Sequence, residues 1–449
     1  MSSVQKRLVV LYRLDAHSTV YNMPTMLLLE GEVSKEGLTG LFAGLIQRHE
    51  SLRTSFELVG DVQVQRIHDE VKFEIESYEN ETHNSFLRPF DLTQTPLLRV
   101  GLRKIGEEEH VLMMDMHHIV SDGISMGILV EEFMQLYGGK PLPPLQVQYK
   151  DYSEWLHGSK GRELIKAQES YWLKQFAGEL PILDLPTDYK RPAVYGFEGS
   201  TLNFEIDNET TRRLKKLAEA GGATLFMVLL VIYNIFLSRL CGREDIVVGT
   251  PVAGRRHGNL EQTVGMFVNT LALRNQPAGD KTVRTFLKDI VENTLAAFEN
   301  QEYPFEDLVE HSALYINRNT GRNPIFDTMF AFQNIEMPRI EVPGLKLGPW
   351  DLELRSAKFD ITLNGEEGEG KLRFTFEYRS TLFKEDTIER FITYFRETAA
   401  GVSKEIEREI FKIEIIPAKE KKQLLFDFSG RETIYPGDMT IHELFEQQV

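Results

Sequence analysis

The sequence predicts an α/β (α+β) protein built from two mixed halves of similar character. Segments of helical and strand periodicity alternate along the 449 residues. A stretch rich in proline and glycine, about residues 177 to 200, interrupts both periodicities, and the same mixture resumes beyond it. These observations place a first half at 1–176, a linker and second half at 177–430, and a short further segment at 431–449. A ligand site between the two halves is a common arrangement.

The elements follow from local pattern. Ser34 precedes Leu38, Leu41, Phe42, Leu45 and Ile46, the spacing of an amphipathic helix. Leu98, Val100 and Leu102 alternate with Arg99, Gly101 and Arg103, as in a half-buried strand. After the polar turn Gly106-Glu107-Glu108-Glu109, residues His110 to Met116 read as its hairpin partner. Ile128, Leu129, Phe133 and Leu136 then share one face of a helix that Gly138-Gly139 ends. The strongest apolar run, Ala223 to Leu237, is 15 residues long and contains Asn234. A bilayer span needs roughly 20 apolar residues, so a buried core helix is expected. Further on, Val283 to Phe298 marks a long helix. Strands centred on Ile361 and Phe374 follow, then a helix through Ile388, Phe391, Ile392 and Phe395.

Composition narrows the function. Fifty-one Lys+Arg against 68 Asp+Glu give a formal charge of −17, which argues against nucleic acid or an anionic membrane as the main partner. With 28 Phe and 15 Tyr there is ample side chain to bury, so disorder is not expected. The single cysteine, Cys241, excludes an internal disulfide framework and any CxxC site. No apolar targeting segment follows the basic N-terminus, and a cytoplasmic protein is expected.

The sharpest chemical feature is Met116-His117-His118-Ile119-Val120-Ser121-Asp122-Gly123, between a strand and a helix. Adjacent strand residues point to opposite faces, so His117 and His118 do not serve one site easily. Three readings stand open. The cluster is structural, with Asp122 capping the helix. It is a metal site through His118 and Asp122, although no third ligand is apparent. Or one histidine performs acid–base chemistry while Asp122 fixes the loop. No G-x-S-x-G elbow, phosphate-binding loop or dinucleotide fingerprint is present, so direct transfer between two bound substrates is favoured over a covalent enzyme intermediate.

At these residues the sequence resembles the condensation domains of nonribosomal peptide synthetases. His117-His118-x-x-x-Asp122-Gly123 matches the family's signature. Ser2-Ser3-Val4-Gln5-Lys6-Arg7-Leu8 is similar to the opening motif, with Val4 for the usual alanine, and Arg48 to Phe56 matches R-H-E-x-L-R-T-x-F. Tyr149 to Trp155, Val264 to Thr270, Asn300 to Glu306 and Arg318 to Asp327 resemble four later motifs in order. Glu302, Asn319 and Gly321 depart from the usual residues. Tyr435 to Phe445 resembles the opening of an adenylation domain, so the chain reads as one unit of a longer assembly line.

The resemblance implies two chloramphenicol-acetyltransferase-like lobes in a V-shaped pseudo-dimer with a central tunnel. It implies that an acceptor aminoacyl α-amine attacks a donor aminoacyl or peptidyl thioester. Both arrive on 4'-phosphopantetheine arms of carrier proteins, with no cofactor or metal bound by the domain itself. Expected partners are the donor and acceptor peptidyl carrier proteins and an adjacent adenylation domain. His118 is the expected catalytic residue, as a base or as a group that orients the amine. His117, Asp122, Gly123 and Arg53 are expected to build the site, with Asp122 ion-paired to Arg53. Ser121 and Asn269 are expected at the tunnel, Asn269 alternatively satisfying backbone groups. Arg255-Arg256-His257 reads as a basic patch for an acidic carrier or as a solvated loop. The intact Arg48–Thr54 and Lys6-Arg7-Leu8 segments favour the subtype with an L-configured donor. An epimerization domain and a non-catalytic recruitment domain are the alternatives.

Overall fold

The computed structural model describes residues 1–60, 62–78, 85–312, 321–333, 341–342, 344–350, 355–368, 370–428 and 439–448. Arg318, Asn319 and Thr320 of one motif, and residues 429–438 with the start of the adenylation-like stretch, lie outside them.

Two six-stranded sheets organise the described residues. In the first, the order is Glu341–Val342, Leu345–Pro349, Asn22–Gly31, Glu109–His117, Leu98–Lys104, Glu76–Tyr78. The hairpin expected from the alternating pattern is there: Leu98 pairs with Met116 and Lys104 with His110, antiparallel. Helices Lys35–Arg48 and Gly123–Tyr137 cover this sheet, burying Phe42, Leu45, Ile128 and Phe133 against Leu98, Val100 and Leu112. Ser34 starts the first helix by accepting the Gly37 amide at 3.0 Å, the capping role its position predicts.

The second sheet runs Gly199–Ile206, Lys371–Arg379, Ile361–Gly368, Thr328–Gln333, Ile246–Val252, Asn269–Asn275. The apolar run forms helix Leu225–Cys241, and every residue from Met227 to Ser238 is buried. Thr224 caps its start and Gly242, at φ 64°, its end, a conformation that glycine adopts without a Cβ clash. Its interior polar residue is accommodated locally: Asn234 Nδ2 donates to the Leu230 carbonyl at 2.8 Å. No single helix among the described residues is long and apolar enough to cross a membrane.

The linear division at 177 does not capture one feature. Strands Glu341–Val342 and Leu345–Pro349, late in the chain, extend the first sheet, with Leu29 opposite Leu347. The sheet edge offered by Asn22–Gly31 has unpaired amides and carbonyls, which this returning segment satisfies. A second crossing is the loop between strands Ile246–Val252 and Asn269–Asn275. It lays Val264, Gly265 and Met266 against the first half, where Ser51 Oγ donates to the Val264 carbonyl at 2.7 Å. Gly265 is obligatory in this seat, because an added Cβ would lie 2.1 Å from the Tyr149 ring.

Candidate active site at the junction of the two halves

The strand Glu109–His117 ends at the first histidine, and the turn that follows separates the pair by backbone geometry. The His117 amide donates to the Leu97 carbonyl on one side, and the His118 amide to the Tyr21 carbonyl on the other at 2.8 Å. His117 is buried and edge-on to the Phe90 ring. Its Nδ1 accepts the Ile119 amide at 3.1 Å, so the ring proton sits on Nε2. His118 has the opposite tautomer. Its Nδ1 lies 2.9 Å from the Ser121 carbonyl, which can only accept, so Nδ1 carries the proton. Its Nε2 keeps a lone pair with no hydrogen-bond partner among the described residues. The half-buried ring therefore presents an acceptor nitrogen from a fixed orientation.

Both imidazoles are held neutral. Burial and then the charges of His118 and Lys358 bring His117 down to about 3. Burial and then Lys358 bring His118 down to about 4, against the opposing pull of Asp122. The unfolded chain binds protons below about pH 6.5 that these rings refuse, so acidification below that point destabilises the fold. The ring protons of His118 are expected to titrate near about 4 in an NMR titration, and a midpoint near 6.5 would contradict the burial described.

Asp122 is fully buried and accepts four donors. They are the Ser125 amide at 2.9 Å, the Phe267 amide at 3.0 Å, and Arg255 Nη1 and Nη2 at 2.8 and 3.0 Å. Arg255 also donates to Ser125 Oγ at 2.8 Å and stacks over the Phe267 ring at 4.3 Å. The expected Asp122–Arg53 pair is not formed. Arg53 instead donates to the His68 carbonyl at 2.6 Å and lies 3.7 Å from Glu50. The reason is topological: the crossing loop brings Arg255 to Asp122 and Ser125 at the start of helix Gly123–Tyr137, while Arg53 is held by the His68 carbonyl and Glu50 of its own half. Arg255 is thereby also removed from the exposed basic patch the sequence suggested, and Arg256 is paired with Glu302 at 3.0 Å.

The other expected residues separate clearly. Gly123 opens helix Gly123–Tyr137 with its face exposed, and an added Cβ would meet nothing within 4 Å. Ser121 does not line a channel: its side chain is fully buried and its contribution is the carbonyl that sets the His118 tautomer. Asn269 binds backbone, its Nδ2 donating to the Gln301 and Tyr303 carbonyls, both at 2.8 Å. Cys241 is the last residue of its helix, with a thiol pushed up to about 12 by burial and by Asp184, so it supplies no thiolate. No group of three metal-ligating side chains occurs among the described residues.

The separate sequence motifs interlock around this junction. Gln5 Nε2 reaches the Ile119 carbonyl at 3.3 Å, inside the histidine loop. Arg7 pairs with Glu306 at 3.1 Å, and Tyr149 donates to the Met266 carbonyl at 2.7 Å. Arg48 and His49 clamp Glu132 on the site helix at 3.0 and 2.6 Å. Burial opposes its charge, yet these two partners hold the Glu132 carboxyl below its usual range.

The condensation-domain family model matches residues 1–425 of this chain. The chain belongs to the condensation-domain family. This condensation domain is 45% identical to part of gramicidin S synthase 2 of Brevibacillus brevis, over its full length and 10% of the relative's. It is 43% identical to part of bacitracin synthase 3 of Bacillus licheniformis, again over its full length, covering 7% of that protein. It thus spans a small fraction of these synthetases. Among solved structures, a four-domain nonribosomal peptide synthetase bound to AMP and glycine superposes with TM-score 0.82 at 23% identity, over 93% of this chain and 34% of the other. The first condensation domain of the CDA synthetase gives 0.77 at 17% identity, over 93% and 98%. The fold of this condensation domain is accordingly the two-lobed chloramphenicol-acetyltransferase-like α/β fold that the family resemblance implied.

Proposed function

We propose that this condensation domain joins a donor aminoacyl or peptidyl thioester to the α-amine of an acceptor aminoacyl thioester, each carried on the phosphopantetheine arm of a carrier protein. The observation that carries the reading is the unpartnered, neutral Nε2 of His118 on a turn fixed by hydrogen bonds. An acyl transfer between two tethered substrates needs no protein nucleophile, and the one thiol is protonated. The amine nitrogen adds to the thioester carbonyl carbon, the C–S bond then breaks, and the amine proton ends on the departing thiol. His118 Nε2 accepts a hydrogen bond from the attacking amine. A ring held near about 4 is a weak base, which favours orienting the amine over removing its proton in advance. His117, Asp122 and Arg255 act through the loop, as supports. The intact opening and Arg48–Thr54 motifs support the L-donor subtype over epimerization. Carrier proteins and an adenylation domain are the proposed partners.

Gly123 tests where the substrate lies. Gly123→Leu is expected to leave the melting temperature unchanged or raised, since the new side chain enters open space on a helix. Amide formation is expected to fall at least tenfold. A fully active variant would place the substrates elsewhere.

A further inference from the structure

Lys358 lies outside every motif named so far, just before strand Ile361–Gly368 of the second half. Its backbone is anchored on both sides: the amide donates to Glu377 Oε1 at 3.3 Å and the carbonyl accepts from the Tyr195 hydroxyl at 2.5 Å. Its ammonium sits 5.0 Å from the centre of the Tyr21 ring. Tyr21 is the residue whose carbonyl receives the His118 amide, so this cation and the histidine turn are both held against the same residue of the first half. Lys358 Nζ makes no hydrogen bond or ion pair to any described residue, although the side chain is half-buried. Around it, burial and Arg7 push the ammonium's affinity for its proton down, and Glu377 holds it up. Arg7 is already matched by Glu306. An unpartnered cation on a braced backbone beside a reacting centre is the arrangement that stabilises developing negative charge.

We infer that Lys358 is a further catalytic residue, whose ammonium donates a hydrogen bond to the donor thioester's carbonyl oxygen as that oxygen gains charge. This inference rests on the amide-forming reading above. When the amine nitrogen adds to the carbonyl carbon, the π pair moves onto oxygen, where Lys358 from the second half meets it. His118 from the first half holds the nitrogen. When the pair returns, the C–S bond breaks and the sulfur leaves with the proton the amine gives up. The two halves thus contribute opposite ends of one transition state, which explains why the site is built at their junction.

The test compares wild type with Lys358→Met, Lys358→Gln and Lys358→Arg, using carriers loaded with aminoacyl-phosphopantetheine. The single-turnover rate of amide formation is expected to fall about 10²–10³-fold in the Met and Gln variants. The carrier concentrations giving half-maximal rate should not change, and Lys358→Arg should recover at least tenfold of the loss. Equal rates in wild type and Lys358→Met, or an arginine variant no better than methionine, would overturn the inference. If wild type itself makes no amide, the functional reading fails separately, and His118 ring titration decides the placement of the cation. Lys358 lowers and Asp122 raises the proton affinity of His118, so removing Lys358 is expected to move its midpoint upward. An unmoved midpoint overturns the placement whatever the activity.

Discussion

His118→Ala is expected to lower single-turnover amide formation by about 10²–10⁴-fold, the range typical of a lost group that handles a reacting proton. The fold should survive. The ring's only hydrogen bond among the described residues is to the Ser121 carbonyl of its own turn, and the turn keeps the His118 amide bond to Tyr21. Thermal melting and loaded-carrier binding should therefore match wild type while product formation collapses. Selective loss of rate separates a catalytic His118 from a structural one. A melting temperature lowered as far as the rate would assign it to the scaffold.

Asp122→Ala is expected to act in the opposite way, by destabilising the protein about 3–5 kcal/mol, the range for breaking a buried ion pair. The Arg255 guanidinium would be left buried without its carboxylate, and the Ser125 and Phe267 amides would lose their acceptor. These bonds join both halves, so soluble yield should fall along with the denaturant midpoint. A double-mutant cycle identifies the partner. Asp122→Ala combined with Arg255→Met should cost clearly less than the sum of the single changes, whereas Asp122→Ala with Arg53→Ala should be additive. Coupling to Arg53 in place of Arg255 would contradict the geometry. A stable but inactive Asp122→Ala protein would move the carboxylate from scaffold to chemistry.

Much of this architecture was legible where the cause is local. The Ser34 cap, the Leu98–Met116 hairpin, the buried helix through Met227 to Ser238, and the strand–turn–helix setting of His118 each follow from spacing within a few residues. The alternation of strand faces separates His117 from His118, and the two rings have different surroundings: His117 packs edge-on to Phe90, whereas His118 bonds the Ser121 carbonyl of its own turn. What depends on the chain returning to itself was not legible. Asp122 and Arg255 are 133 residues apart. Arg53 was the nearer motif cation, and nothing in local pattern tells which guanidinium a crossing loop will deliver. The same holds for strands Glu341–Val342 and Leu345–Pro349, which join the first sheet from the second half. Lys358 carries no local signal, because it occupies a polar position in the alternation of Ala357, Phe359 and Ile361, where a lysine is ordinary on a strand.

The −17 charge also takes on a local meaning. Arg255 is buried on Asp122, and the exposed Arg256 is neutralised by Glu302, so the run seen in the sequence offers an acidic carrier less positive charge than it suggests.

Amide formation itself is best checked by intact-protein mass spectrometry of two loaded carriers mixed with the wild-type domain. One L-aminoacyl group is placed on the donor and another on the acceptor, taken through a panel of amino-acid pairs. For at least one pair the acceptor carrier is expected to gain the donor acyl mass while the donor carrier returns to the free thiol. With His118→Ala both carriers should remain largely as loaded over the same time. No transfer for any pair, or equal transfer with His118→Ala, would contradict a condensation reaction centred on His118.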